Sequence, residues 1–360
     1  MIYETFTAAN SAYGFYSYFD ELVDAAQFDR VYLIKGGPGT GKSTFLKKIA
    51  RMAQNQGLDV EMVCCSSDPA SLDGVRIAQK KLAIIDATSP HSYDAKYPGA
   101  FDNIINLGQF WDEQKLKDNK KEIINIMTKI SACYSSAYNI LKAAGALEAE
   151  YLHFVDGITQ NTKVQTQIKK IIRQNAITTS ANKSPRLYKR LISAIGPNAI
   201  FTKGATLDTL CKQAILLDDS VNIAGTILNR LQSYFIKIGY DVIAFYSPLM
   251  PKDRIEHIII PELELGVISS GHVFDSDYLP DEKIIKTIHT KNLLDKEVFS
   301  QNKNKLGFLK KMSKELICSA TQKIGEAKSL HDKLEQHYIN AMDFDTLSEF
   351  TSQMSYKILR

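Results

Sequence analysis

The sequence predicts an α/β protein: a three-layer α/β/α sandwich with a mostly parallel sheet, duplicated in tandem, each copy carrying a helical extension. Three observations predict it. An apolar strand, a glycine-rich loop and an amphipathic helix follow one another from Val31 to Gly57. Much of this pattern recurs at an offset of 182 residues, as Thr44 to Thr226. A long stretch with apolar residues at helical spacing closes each copy.

The chain has 360 residues, which suits two domains of ordinary size, expected at 1–180 and 186–360. Hydrophobic residues make up 44 %, enough for real cores, and charged residues 23 %. The net charge of +4 is too small to point to a dedicated nucleic-acid binder. The first residues show no basic region leading into an apolar run, and no 18 consecutive apolar residues occur. Neither a leader nor a membrane span is therefore expected. Cys64, Cys65, Cys133, Cys211 and Cys318 have no CxxC spacing, so reduced thiols and a cytoplasmic location are expected. The histidines are scattered, which argues against zinc.

The first key element is "VYLIK", Val31 to Lys35, apolar and partly β-branched, which reads as a buried strand. It leads into "GGPGTGKST", Gly36 to Thr44, which fits G-x-x-x-x-G-K-[ST] at Gly36, Gly41, Lys42 and Ser43. A helix follows: Phe45, Leu46, Ile49, Met52 and Ala53 share a face, and Gly57 can end it. Strand, loop and helix give the context of a phosphate-binding loop, and so of a P-loop NTPase sandwich.

The residue types explain the chemistry. Glycines let backbone N–H groups close round a phosphate chain, and the helix N-terminus adds partial positive charge. Lys42 can reach the β- and γ-phosphates, and the Ser43 hydroxyl can bind Mg²⁺. The expected nucleotide-binding set is Gly36, Gly37, Pro38, Gly39, Thr40, Gly41, Lys42, Ser43 and Thr44, with ATP and Mg²⁺ as cofactors. Lys35 reads as a strand-end lysine; the other reading is a second signature lysine. The run Pro38 to Lys42 resembles the loop of AAA-type ATPases, but the Asp-Glu pair of those enzymes is not found.

Further on, "DVEMVC", Asp59 to Cys64, reads as a strand and "CSSDPASLDG", Cys65 to Gly74, as a turn-rich loop. Then "LAIID", Leu82 to Asp86, reads as a strand with a carboxylate at its C-terminal end. Ligands of parallel sheets bind at that edge, so Asp86 is the expected magnesium partner, with helix capping as the alternative. "ATSPH" follows with no Glu. Asp68 and Asp73 are the substitutes for a water-activating carboxylate, against a plain turn role. The expected catalytic set is Lys42, Asp86 and Asp68.

The second copy is a blank. Thr44, Leu46, Gly57, Asp59, Val60 and Pro69 match Thr226, Leu228, Gly239, Asp241, Val242 and Pro251. Lys42 aligns with Ala224, Gly41 with Ile223, and Asp86 with Val267 or Ser269. Asp218 and Asp219 enter the loop and should repel phosphate. His91/His272 and Asp94/Asp275 persist in both copies, which suggests a structural job, or one at the interface. Leu147, Glu148, Tyr151 and Asp156 match Leu334, Glu335, Tyr338 and Asp343.

Long helices are expected from near Glu113 past Tyr151 and from about Lys303 to Ala341. Ile123, Ile126, Met127, Ile130, Tyr134, Ala137 and Leu141 form the first apolar stripe, read as core packing. "QNAITTSANKSP" is the expected linker. The basic residues around it read as a solvated face; the sharper reading brings Arg186 or Arg190 onto the nucleotide.

"GFYSYF", "IKGGPGTGKST", "CSSDPASLDG", "YPGAFDNIINLGQFWDE" and "IEHIIIPEL" together resemble a bacterial, mostly clostridial family of tandem-domain P-loop ATPase-like proteins. The resemblance implies ATP binding by Gly36 to Thr44 and a P-loop fold in each half, and it supplies no substrate. The expected activity is that of a Mg-dependent ATPase with one active and one degenerate site. A small-molecule kinase and a non-hydrolysing nucleotide sensor that binds a protein are the alternatives.

Overall fold

The computed structural model describes residues 1–89, 93–175, 184–270 and 279–360. The chain runs through one order of elements twice. The first pass is β1 (Ile2–Phe6), a hairpin of β2 (Ala8–Ser11) and β3 (Gly14–Ser17), α1 (Phe19–Leu22), β4 (Arg30–Lys35), α2 (Lys42–Asn55), β5 (Val60–Cys64), β6 (Leu72–Ile77), β7 (Leu82–Asp86), β8 (Asp102–Asn106), α3 (Glu113–Asp118), α4 (Lys120–Gly157) and α5 (Asn161–Asn175). The second is β9 (Leu187–Arg190), a hairpin of β10 (Ser193–Ile195) and β11 (Ile200–Thr202), α6 (Ala205–Leu210), β12 (Gln213–Asp218), α7 (Ala224–Lys237), β13 (Val242–Tyr246), β14 (Ile255–Ile260), β15 (Leu265–Ser270), β16 (Ile284–His289), α8 (Lys296–Gln301), α9 (Lys303–Ile339) and α10 (Phe344–Leu359).

The two six-stranded sheets have matching orders, β1-β5-β6-β7-β4-β8 and β9-β13-β14-β15-β12-β16. In each, the third strand alone runs against the others. The inner strands of the first sheet, β4 to β7, are buried on both faces, as parallel strands require, while Ile104 of the edge strand β8 is exposed. Tyr32 and Ile34 of β4 pack with Phe45, Leu46 and Ile49 of α2. Val31 and Leu33 point the other way, to Phe19, Leu22 and Phe101. The segment expected to be loop from Cys65 to Gly74 already becomes β6 at Leu72.

The copies meet edge to edge. Phe6 and Leu191 exchange both backbone hydrogen bonds, at 2.9 and 2.8 Å, as a single antiparallel bridge. These are equivalent residues, since Ile2 pairs with Val60 just as Leu187 pairs with Val242. Two equivalent residues facing each other in antiparallel fashion mark a pseudo-two-fold axis. The edge strands that meet there are β1 and β9.

The helical extensions cross over. The long α4 and α9 pack along each other, with Ala137, Leu141 and Ala144 against Ile317, Ala320 and Ile324. The expected core stripe holds at Ile123, Ile126, Ala137 and Leu141, whereas Met127 is exposed. Each arm then lands on the other copy: α10 packs on α2 and α5 on α7. Two bridges repeat the exchange, Trp111 with Met342 and Thr159 with Leu294. They put the arms in register at an offset of 183, as in Thr159 to Met342 and Trp111 to Leu294. The matches of Leu147, Glu148, Tyr151 and Asp156 at 187 are therefore one helical turn out of register. Among the described residues, no helix is long and apolar enough to cross a membrane.

Candidate functional site

β4 ends at Lys35 and delivers the glycine loop to the C-terminal edge of the first sheet. Gly39 (φ +71°) and Gly41 (φ +82°) take left-handed backbone that glycine adopts without strain. Gly41 is the N-cap of α2, and its carbonyl accepts the N–H of Phe45 at 2.9 Å. The Thr40 hydroxyl donates to the Gly37 carbonyl at 2.9 Å and closes the loop. Thr44, the third residue of α2, is exposed.

Lys42 folds back across this loop. Its ammonium donates to the carbonyls of Gly36 (3.0 Å) and Gly37 (2.7 Å), and the Asp86 carboxylate lies 3.7 Å away. Asp86 ends β7, the strand beside β4, with Ile34 as its neighbour in register. Burial raises its carboxyl above the usual range, Lys42 pulls it down, and Asp73 pushes it up again. The Ser43 hydroxyl stands at the same edge and accepts the N–H of Leu72 at 3.0 Å.

Asp73 and Asp68 go to different places. Gly74 pairs with Ile85 across the antiparallel β6 and β7, so Asp73 lies beside Asp86. Asp73 is 5 % exposed. Asp68 turns away to α9, 3.4 Å from the Lys328 ammonium, and accepts the Ser71 hydroxyl at 3.1 Å. The carboxylate that joins Asp86 is thus Asp73. Lys35 is tied to the carbonyls of Ala87 (2.7 Å) and Tyr93 (2.9 Å), with the exposed Asp94 at 3.5 Å. That is a strand-end structural role. His91, His272 and Asp275 lie outside the described residues, as does the stretch 176–183 within the expected linker.

The second copy covers the first copy's loop. A Cβ added to Gly37 would sit 2.6 Å from the Tyr338 ring, and one on Gly39 would sit 2.9 Å from Ile339 and 3.1 Å from the Glu335 carbonyl. One on Gly41 would lie 3.2 Å from Leu347 of α10. Lys48 of α2 donates to Ser352 of α10 at 2.6 Å. One turn up α9, burial lowers the pKa of His331, Glu335 raises it, and Lys328 and Lys42 lower it. The expected site set named none of these covering residues. The sequence match of Glu335 and Tyr338 to Glu148 and Tyr151 is one turn out of register, although the latter pair meets the opposite loop. Tyr151 donates to the Val221 carbonyl at 3.4 Å, and Glu148 accepts from Asn222 at 2.9 Å.

In the second copy the corresponding space is filled from within. The Asp219 carboxylate accepts the N–H of Ile223 (2.8 Å) and Ala224 (2.9 Å) and the Thr290 hydroxyl (2.8 Å). Asp219 therefore holds the helix N-terminus rather than merely repelling an anion from it. Asp218 pairs with His289 at 2.6 Å. Register places Ser269 opposite Leu217 as Asp86 is opposite Ile34, which settles the alternative of Val267. Lys310 donates to the Ser220 carbonyl at 2.6 Å, and Arg254 pairs with Glu148.

The alternative reading that puts Arg186 or Arg190 on the nucleotide meets other partners for both, and Arg190 does not fit the solvated-face reading either. Arg190 is 2 % exposed and grips Glu61 of β5 with two nitrogens, with Glu21 at 3.6 Å. A buried carboxylate claims it. Arg186 donates from its side chain to the Ala26 carbonyl and from its backbone to Asp241. Both work in the contact between copies. A cavity of about 600 Å³ opens beside the glycine loop rather than on it, bordered by Trp111 and Met342. No protein-family model, curated protein or solved structure matches the chain.

Proposed function

We propose that the chain is a P-loop NTPase that binds ATP with magnesium on Gly36–Thr44 and hydrolyses it slowly, the second copy being a degenerate P-loop partner. The observation that carries this reading is convergence. Lys42, Ser43 and Asp86 meet at one sheet edge, and their counterparts Ala224, Gly225 and Ser269 carry no charge. An arriving triphosphate would replace the two loop carbonyls as partners of Lys42 and meet the N–H groups at the start of α2. Ser43 and Asp86 offer the hard oxygen donors that suit magnesium. With Asp68 paired to Lys328, Asp73, beside Asp86 across β6 and β7, is the carboxylate placed to orient a water for attack.

The sensor reading draws on one observation of its own. Gly37 and Gly39 lie directly under Tyr338 and Ile339, so a phosphate chain on this loop must alter the fit of the second copy's arm. A kinase would need an open acceptor site beside the loop at Ser67 and Asp68, and these contact Tyr134 and Lys328. Phosphate release from ATP, with Mg²⁺ and no acceptor, tests the proposal. Slow release is expected from the natural chain and none from Asp86→Asn with an unchanged melting curve. Tight binding without release would favour the sensor; neither binding nor release would remove the nucleotide reading.

A further inference from the structure

The cavity beside the loop has its own chemistry. β8 is the other neighbour of β4 and runs parallel to it, so the segment leaving β8 emerges next to the phosphate loop. That segment meets the turn between α9 and α10. Asp112 donates its N–H to the Ala341 carbonyl at 2.8 Å, and Asp343 donates to the Phe110 carbonyl at 2.9 Å. The cavity opens along this seam, lined among others by Gln109, Trp111, Asp112, Met342 and Asp343. Tyr338 links the two regions: its ring meets Gly37 of the loop and lies 5.9 Å from the ring of Trp111, which lines the cavity.

We infer that this seam between the copies binds the nucleoside end of the nucleotide, an aromatic base against Trp111 with its ribose toward Asp112 and Asp343. The inference rests on the nucleotide reading of the loop and adds where the base goes and which half completes its pocket. A nucleotide has one sugar between base and phosphates; here Tyr338 touches the loop at Gly37 and neighbours the cavity's Trp111, so the two regions lie within reach of one ligand. The depression is open to solvent, with Gln109, Asp112 and Asp343 exposed along it, and its volume of about 600 Å³ leaves room for a base and a ribose lying along the seam. Trp111 supplies a flat face for stacking, and Met342 a polarisable flank. The exposed Gln109 amide pairs a donor with an acceptor, the pattern that reads a base edge.

The charges choose between the two ends of the ligand. Two carboxylates, Asp112 and Asp343, line the cavity against one cation, Lys115, whose ammonium lies 3.9 Å from Asp112, so the net charge disfavours phosphate while the carboxylates accept from hydroxyls. Each also caps a helix: Asp112 accepts the N–H groups of Gln114 and Lys115 on one oxygen, and Asp343 accepts the N–H of Thr346 on one oxygen and its hydroxyl at 2.7 Å on the other. A carboxylate has lone pairs for a cap and a ribose hydroxyl together. The second copy thus keeps a role after losing its own lysine, because Met342 and Asp343 belong to it.

Trp111 is the only tryptophan of the chain, so its emission reports on the seam. The full chain is titrated with Mg²⁺ and a non-hydrolysable ATP analogue, and separately with Mg²⁺ and tripolyphosphate. The analogue is expected to change Trp111 emission and to bind more tightly than tripolyphosphate by calorimetry. Trp111→Ala is expected to weaken the analogue about tenfold, in line with stacking on an aromatic ring. It should leave tripolyphosphate within about twofold, and Trp111→Phe should restore most of the difference. Gln109→Ala, at an exposed position, should narrow the preference for the ATP analogue over the CTP analogue. An analogue that binds without changing emission, or whose advantage survives Trp111→Ala, would overturn the seam while leaving the loop reading standing. Failure of both ligands to bind the folded chain would overturn the loop reading, and the seam with it.

Discussion

The Asp219 carboxylate accepts the backbone N–H of Ala224 at 2.9 Å, and Ala224 opens α7 just as Lys42 opens α2. One copy therefore presents a lysine and open glycines at its helix start. The other ties its own carboxylate to the same place. An aspartate with 0 % exposure, held by two N–H groups and a hydroxyl, leaves a phosphate nothing to bind there.

Asp219→Ala should expose those N–H groups. Loss of a helix cap costs about 1 kcal/mol, so the melting temperature should fall. Sulfate should then raise it more in the variant than in the natural chain, because the helix start becomes an anion site again. Equal sulfate responses in thermal melts would contradict the internal-anion picture.

Gly37 and Tyr338 belong to different copies and touch. Gly37→Ala should destabilise the chain, since the methyl would lie 2.6 Å from the ring. Combined with Tyr338→Ala, its cost should shrink, with a coupling of about 0.5–3 kcal/mol. Strict additivity in denaturant melts would mean that the arm does not rest on the loop.

Arg190 and Glu61 lock the two sheets together. Burial alone would raise the Glu61 carboxyl; Arg190, helped by Arg76, outweighs it and brings it to about 2. A carboxyl held below its unfolded value of 4.5 adds stability above that pH, and this stability is lost as pH falls from 4.5 toward 2. Arg190→Ala should cost about 3–5 kcal/mol at pH 7, because it strands a buried charge. Acid unfolding should move to higher pH. An unchanged acid midpoint would contradict this, and so would a loss of nucleotide affinity in the folded variant.

These three contacts differ in how far the sequence shows them. Val31 to Gly57 reads as strand, loop and helix because each element is local and each carries its own signal: apolar run, glycines, amphipathic face. Asp86 is readable for the same reason, at the end of an apolar strand. The start of β6 is not, because Ser66, Ser67, Asp68 and Pro69 mark a turn and hide that Leu72 re-enters the sheet. That concealed strand is what brings Asp73 rather than Asp68 to Asp86. The crossover of arms is not legible either. An apolar stripe on α4 says that a helix is buried, not against which copy, so Tyr338 over Gly37 had no local signal. Neither the solvated-face reading of Arg190 nor the nucleotide alternative could see its partner, because Glu61 lies in a strand of the other copy.

Glu256 is 1 % exposed, and burial pushes its carboxyl up to about 7, with Arg254 opposing. Its folded value lies above the unfolded 4.5. The stability it contributes is therefore fully present below pH 4.5 and is lost as pH rises through 7. Glu256→Gln should remove this dependence and stabilise the chain at pH 8 by about 1–3 kcal/mol. Denaturant melts at pH 5 and pH 8 check it; an equal pH response in variant and natural chain would contradict it.

The most direct measurement is calorimetric titration of the full chain with Mg²⁺ and a non-hydrolysable ATP analogue, alongside Lys42→Ala. One site per chain is expected, with binding abolished or weakened at least about a hundredfold in the variant, since Lys42 is a charged partner that the triphosphate would lose. The variant should melt as the natural chain does. Two tight sites per chain, or full affinity in Lys42→Ala, would contradict the assignment of one working loop and one that holds its own anion.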